Sequence, residues 1–209
     1  MLRYISLGTQ RFRAMRVVAG KFGGRPLRSL PGMDIRPTSD RLRETLFNVL
    51  TAGNPGSLEN TIWLDIFAGT GAVGIEAISR GARRVFFIET AARAVSLIER
   101  NLQSLQINES YEILRENLAS VLWRLEREHV AADVVFLDPP YRMQKAYHQT
   151  LAALANSSLV WAMTLVIAEH EKKFDPGDEF GSLRRTRTLI QGNAALSFYR
   201  IGGRPDLTK

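Results

Sequence analysis

The chain has 209 residues, 45% of them hydrophobic, and its 28 Lys+Arg exceed its 21 Asp+Glu to give a net charge of +7. That length fits one domain with a small appendage, able to bury a core without staples. With no cysteine there are no disulfides, thiolate metal sites or cysteine nucleophiles, which fits a reducing cytoplasm, and no apolar run approaches the ~18 residues that span a bilayer.

Residues 1–14 carry no acidic residue and no apolar signal-peptide core. They are expected to be a disordered tail or a start-site artefact, with translation beginning at Met15 and a chain cut there still folding. Residues 1–50 hold ten basic and three acidic residues, while the remainder is balanced. The whole excess charge therefore sits at one end, as a polyanion-binding surface or as a solvated basic tail. Candidate nucleic-acid contacts are Arg16, Lys21, Arg25, Arg28, Arg41 and Arg43. Short strand-like pieces over 16–30, broken by Gly20, Gly23, Gly24 and Pro26, predict a small hairpin. A helix follows, capped by Thr38 or Ser39 and apolar at Leu42, Leu46, Phe47, Val49 and Leu50. Gly53-Asn54-Pro55-Gly56 ends it. The expected organisation is a tail (1–14), a basic hairpin and helix (15–56) and a larger domain (57–209).

From residue 61 the pattern alternates. Strands are predicted at 61–66, 84–88, 111–114, 133–137 and 160–168, and helices at 72–80, 91–104, 117–128 and 144–156. This is an α/β, Rossmann-like arrangement, a parallel sheet with helices on both faces. Runs at 184–190 and 194–201, separated by Gly192-Asn193, predict a C-terminal antiparallel hairpin. Arg184, Arg185 and Arg187 on it could touch phosphate or solvate an edge strand. Trp63, Trp123 and Trp161 lie in apolar runs and are expected in the core. His129, His148 and His170 have no metal-ligand spacing, so no metal is expected.

The loop Asp65-Ile66-Phe67-Ala68-Gly69-Thr70-Gly71-Ala72-Val73-Gly74 follows the first strand and opens a helix. Its G-x-G-x-x-G spacing suits a tight turn, close backbone approach to a ligand and tight helix–strand packing. A dinucleotide, S-adenosylmethionine (SAM) or a bare turn would each fit. Asp65 favours SAM, because a carboxylate repels a pyrophosphate and attracts the cationic end of an amino acid. Glu89 ends the second strand, where an acid can hold ribose hydroxyls.

The fourth strand ends in Asp138-Pro139-Pro140-Tyr141, at the carboxyl edge where ligands bind in such sheets. Two prolines stiffen the turn. Asp138 and the Pro139 carbonyl offer two acceptors, and Tyr141 offers a flat face. That set suits the exocyclic amine of a planar base, whose lone pair is delocalised until hydrogen bonds to both N–H groups localise it. Tyr141 would stack a base turned out of its helix, worth ~1–3 kcal/mol.

Phe67-Ala68-Gly69-Thr70-Gly71 followed by Asp138-Pro139-Pro140-Tyr141 resembles the amino-group SAM-dependent methyltransferases. Residues 36–48, from Arg36-Pro37-Thr38-Ser39-Asp40 to Asn48, and residues 74–82 narrow this. Over roughly residues 15 to 201 the chain is similar to the bacterial 16S rRNA (guanine(966)-N2)-methyltransferase family. The resemblance implies a seven-stranded methyltransferase sheet carrying the C-terminal hairpin, with the N-terminal hairpin and helix as an extension. It implies SAM as donor and 16S rRNA, in the small (30S) subunit or its assembly intermediate, as partner. The protein is expected to be a cytoplasmic monomer with no membrane partner. By position, Asp65, Phe67, Ala68, Gly69, Thr70 and Gly71 would hold the methionine part, Glu89 the ribose and Asn117 the adenine amino group. Arg36 and Thr38 would close over cofactor or RNA. Asp138, Pro139, Pro140 and Tyr141 would hold the target amine. Rivals are a nicotinamide oxidoreductase, which leaves Asp-Pro-Pro-Tyr unexplained, a DNA adenine-N6 or protein-glutamine methyltransferase, and a non-catalytic rRNA-binding assembly factor.

Overall fold

The computed structural model describes residues 15–29 and 37–202. Its elements run α1 (Pro37–Leu50), β1 (Ile62–Ile66), α2 (Ala72–Ser79), β2 (Arg84–Ile88), α3 (Ala92–Leu105), β3 (Tyr111–Leu114), α4 (Leu118–Arg127), β4 (Val134–Leu137), α5 (Gln144–Ala155), β5 (Leu165–Glu171), β6 (Glu179–Phe180), β7 (Leu183–Gln191) and β8 (Ala194–Ile201). The expectations for the tail 1–14 and for Arg36 lie outside the described residues, as does that for the Thr38 side chain.

Alternate residues of a strand face opposite sides of its sheet, and here both sides are apolar. Trp63, Val85, Phe87, Val134 and Phe136 pack with α1, α2 and α3 on one face. Leu64, Ile66, Phe86, Val135 and Leu137 pack with α4 and α5 on the other. Strands buried on both faces require helices on both, and the sheet order is β3-β2-β1-β4-β5-β8-β7-β6. β1 to β5 are parallel, while β8, β7 and β6 are antiparallel additions. The expected seven strands are present, and the eighth is the two-residue edge strand β6. No helix among the described residues is long and apolar enough to cross a membrane.

Three local expectations change. The N-terminal hairpin is a short ribbon with one isolated bridge, Arg16 to Pro26, closed by Val17 N–H to Arg25 O (3.0 Å) and Leu27 N–H to Met15 O (2.7 Å). β5 begins at Leu165 rather than 160 because Trp161–Thr164 form a turn, with Trp161 N–H on Thr164 Oγ1 (2.9 Å) and Thr164 N–H on Trp161 O (3.0 Å). Only Trp63 is in the core, stacked on Phe47 at 5.5 Å. Trp123 and Trp161 are 60% and 43% exposed.

Candidate functional site

In the sheet order, β1 lies between β2 and β4. The chain leaves β1 towards one side of the sheet and β4 towards the other, and a crevice opens between their loops. Two backbone hydrogen bonds fix the loops, one tying the elbow to β1 and one tying the glycine loop to β2. Asp138 N–H reaches Ile66 O (3.3 Å), and Phe67 N–H reaches Ile88 O (3.0 Å). The glycine loop and the proline elbow therefore lie next to each other at the carboxyl ends of the adjacent parallel strands β1 and β4.

α2 starts at the loop without a side-chain cap of its own. Asp65 supplies one from beneath, its Oδ2 accepting from Gly74 N–H at 3.0 Å. A carboxylate suits orphan N–H groups at a helix start. Asp65 is only 2% exposed. Burial is the main cause pushing its carboxyl up to about 8; Gly74 N–H lowers it, and the nearby Asp138 and Glu89 charges raise it further. Its expected contact to a cofactor ammonium is thus joined by a structural one that the sequence did not suggest.

Phe67, Gly69 and Gly71 all have positive φ. A Cβ on Gly69 would meet only Phe67 O, at 3.8 Å, so the backbone there is open to an approaching ligand. Glu89 braces this turn, with Oε2 accepting from Gly69 N–H (3.0 Å) and Oε1 from Ala91 N–H (2.8 Å). Asn117 caps α4 through Oδ1 on Ser120 N–H (3.0 Å). The oxygen assigned to an adenine amine therefore already accepts one bond and has one lone pair left. Beside it, a cavity of about 550 Å³ is lined by Glu116, Ala119, Ser120, Trp123 and Arg124. None of these belongs to the glycine loop or the elbow.

At the elbow Asp138 is half-buried, Pro139 buried, Pro140 exposed and Tyr141 half-buried. The Pro139 carbonyl accepts from the Tyr147 hydroxyl at 3.2 Å. That hydroxyl also reaches Glu169 O at 2.9 Å.

The basic segment divides in two. Arg16, Lys21, Arg28 and Arg41 are exposed. Arg25 instead donates to Leu105 O (3.1 Å) and Ser104 O (2.8 Å), the orphan carbonyls that end α3. Arg43 is 4% exposed, with Nη2 on Asp40 Oδ1 (2.8 Å) and Arg16 O (2.5 Å), and Nε 4.0 Å from buried Glu76. A buried, paired guanidinium is not presented to a nucleic acid, so Arg43 is corrected to a structural residue. Arg185 pairs with Asp175 (2.6 Å) and Asp178, and Arg184 with Glu179 (3.2 Å).

Sequence reasoning overlooked two polar residues that fasten the basic segment, Glu76 to α2 and Asn101 to α3 and the glycine loop. Glu76 accepts from Val18 N–H (2.6 Å) and Ala19 N–H (2.9 Å). Asn101 accepts from Arg28 N–H (2.8 Å) and donates to Arg28 O (3.2 Å) and Thr70 O (3.0 Å). Each interrupts an apolar stretch, Glu76 within Gly-Ile-Glu-Ala-Ile and Asn101 among the buried positions Leu97, Ile98, Leu102 and Leu105 of α3. A polar residue on a buried stripe was the available signal, because it must find partners there.

Residues 15–200 match the protein family described as Conserved hypothetical protein 95. A Haemophilus influenzae protein named Ribosomal RNA small subunit methyltransferase D is 35% identical over 159 residues, 76% of this chain and 79% of that protein. The structure of a hypothetical protein from Thermus thermophilus is 28% identical with a TM-score of 0.73, covering 90% of this chain and 100% of that one. A structure solved in complex with SAH, 16% identical, shares the fold at a TM-score of 0.58, covering 78% of this chain and 49% of that one.

Proposed function

This chain belongs to the conserved hypothetical protein 95 family, and from that premise we propose that it is an rRNA methyltransferase using SAM as its donor. The proposed acceptor is the exocyclic N2 amine of a guanine in 16S rRNA, guanine 966 by the family resemblance. The substrate is the small subunit or its assembly intermediate, met in the cytoplasm by a monomer. The observation that carries this reading is the Asp138–Tyr141 elbow tied to the end of β1, next to the glycine loop that leaves the same strand.

The residues present suit SAM. Open backbone at Gly69 gives room for close approach, an ammonium bound beside Asp65 would draw its raised carboxyl back towards the ionised form, and Glu89 and Asn117 keep lone pairs for the ribose and adenine. When bound, SAM supplies an electrophilic methyl carbon. The chain's own residues act on the amine. Asp138 accepts one N–H bond and the Pro139 carbonyl a second, which localises the nitrogen lone pair and aims it. Tyr141 stacks the base, and Asp138 takes up the proton the nitrogen loses.

Asp138→Ala is expected to lower methyl transfer from tritiated SAM to unmethylated small subunits by about 100-fold or more, while calorimetric SAM affinity changes little. Mass mapping of the RNA product locates the guanine. Full activity in this variant would remove Asp138 from the mechanism.

A further inference from the structure

We propose that Tyr147, outside the elbow and buried beneath it, is a positioning residue that aims the Pro139 carbonyl through a divided hydrogen bond. The inference rests on the proposed amine-binding role of the elbow. Pro139 and Pro140 have no N–H, so neither can donate to the fold, and their carbonyls are the backbone's remaining hydrogen-bonding handles. Pro140 O is gripped by Met143 N–H at 2.7 Å. Pro139 O is gripped by the Tyr147 hydroxyl at 3.2 Å.

That hydroxyl has one proton and two carbonyls to serve. The shorter contact, 2.9 Å, goes to Glu169 O at the end of β5. The elbow is thus tied to the neighbouring strand, while the Pro139 oxygen is held by the longer arm and keeps a lone pair for a substrate N–H. Tyr147 is itself immobilised. It is fully buried, and its ring lies 5.0 Å from Phe174 and edge-on to His170 at 6.5 Å. Burial chiefly, then the Asp138 and Tyr141 charges, holds its phenol above the usual range. The hydroxyl therefore remains a donor wherever the enzyme works.

Tyr199 supplies a matched control. It too is fully buried, and its hydroxyl donates to a carbonyl, Gly177 O at 2.8 Å, at a site with no assigned role in the chemistry. Tyr147→Phe and Tyr199→Phe each delete one buried hydroxyl and should lower Tm similarly. Steady-state methylation of unmethylated small subunits should separate them. Tyr147→Phe is expected to lose about tenfold in kcat with KM for SAM unchanged, and Tyr199→Phe to keep its kcat. Restoring an N–H donor with 4-aminophenylalanine at position 147 should recover most of the loss. That variant also carries the test if Tyr147→Phe does not fold, since a folded but inactive amine variant would contradict the proposal. An active wild type with full kcat in Tyr147→Phe, or equal losses in both phenylalanine variants, would overturn this inference alone. An inactive wild type would overturn the functional reading beneath it.

Discussion

Asp65 accepts the Gly74 N–H in a site nearly closed to water, and the desolvation that accompanies this sets the proton affinity of its carboxyl. The unfolded chain titrates it near the ordinary 3.8, and the folded chain near 8. Between those values folding takes up a proton. The associated stability is complete below about pH 4 and is lost as pH rises through about 8. Asp65→Asn keeps an acceptor for Gly74 and does not titrate. The Tm of this variant relative to wild type should therefore climb from about pH 5 to about pH 9, measured by thermal melts at both. A difference that stays constant would contradict the raised carboxyl. The sequence placed Asp65 at the strand end and in the crevice, but its capping role was hidden. Gly71 before α2 has no side chain to cap it, but nothing in a linear reading says that Asp65 supplies the cap instead. Arg43 was misjudged for a related reason. A charge count treats every guanidinium as exposed, whereas Arg43 turns inward to Asp40 and Glu76.

Glycines in one loop do unlike jobs, and the element that follows records the difference. A Cβ on Gly74 would stand 2.3 Å from Phe87 Cε1 and 2.7 Å from Val85 Cγ1, where α2 seats on β2. Gly74→Ala should push the helix off the strand and cost about 1–3 kcal/mol in urea unfolding, the usual range for overpacking. Gly69 has space for a Cβ but a φ of +56, so alanine there costs about 1 kcal/mol of backbone strain. Its larger effect should be on SAM affinity, read by calorimetry. A loss of SAM affinity in Gly74→Ala as large as that in Gly69→Ala would refute this division. The G-x-G-x-x-G spacing located the loop, and apolar runs alternating with helical patterns found seven strands and five helices. Elements set by tertiary contact escaped. β6 is two residues long and pairs only with Arg184 and Leu183, too short to leave a pattern. On α4 the buried stripe is Val121, Leu122 and Leu125, and Trp123 lies off it. Residue type suggested core for Trp123, and helical phase decided otherwise.

Four basic residues, Arg16, Lys21, Arg25 and Arg28, lie on an N-terminal strap over α2 and α3, fastened by Glu76, Ser79 and Asn101, and Arg41 and Arg43 lie on α1. The paired and the exposed basic side chains of strap and α1 make separable predictions. Arg16, Lys21, Arg28 and Arg41 are exposed. On the RNA-binding reading they release counterions from rRNA, each contact contributing a slope of ~0.7 in log K against log salt for single-stranded regions. Replacing all four with Gln should flatten that slope by up to about 3 while leaving Tm nearly unchanged. Arg43→Gln should do the reverse. It loses charged hydrogen bonds worth about 1–3 kcal/mol, lowers Tm and leaves the salt slope alone, because its guanidinium faces Asp40 and Glu76 rather than solvent. Binding titrations with a 16S rRNA fragment at several salt concentrations, run beside thermal melts, distinguish the two classes. An unchanged slope in the four-fold variant would mean that the strap serves the fold and that RNA is held elsewhere.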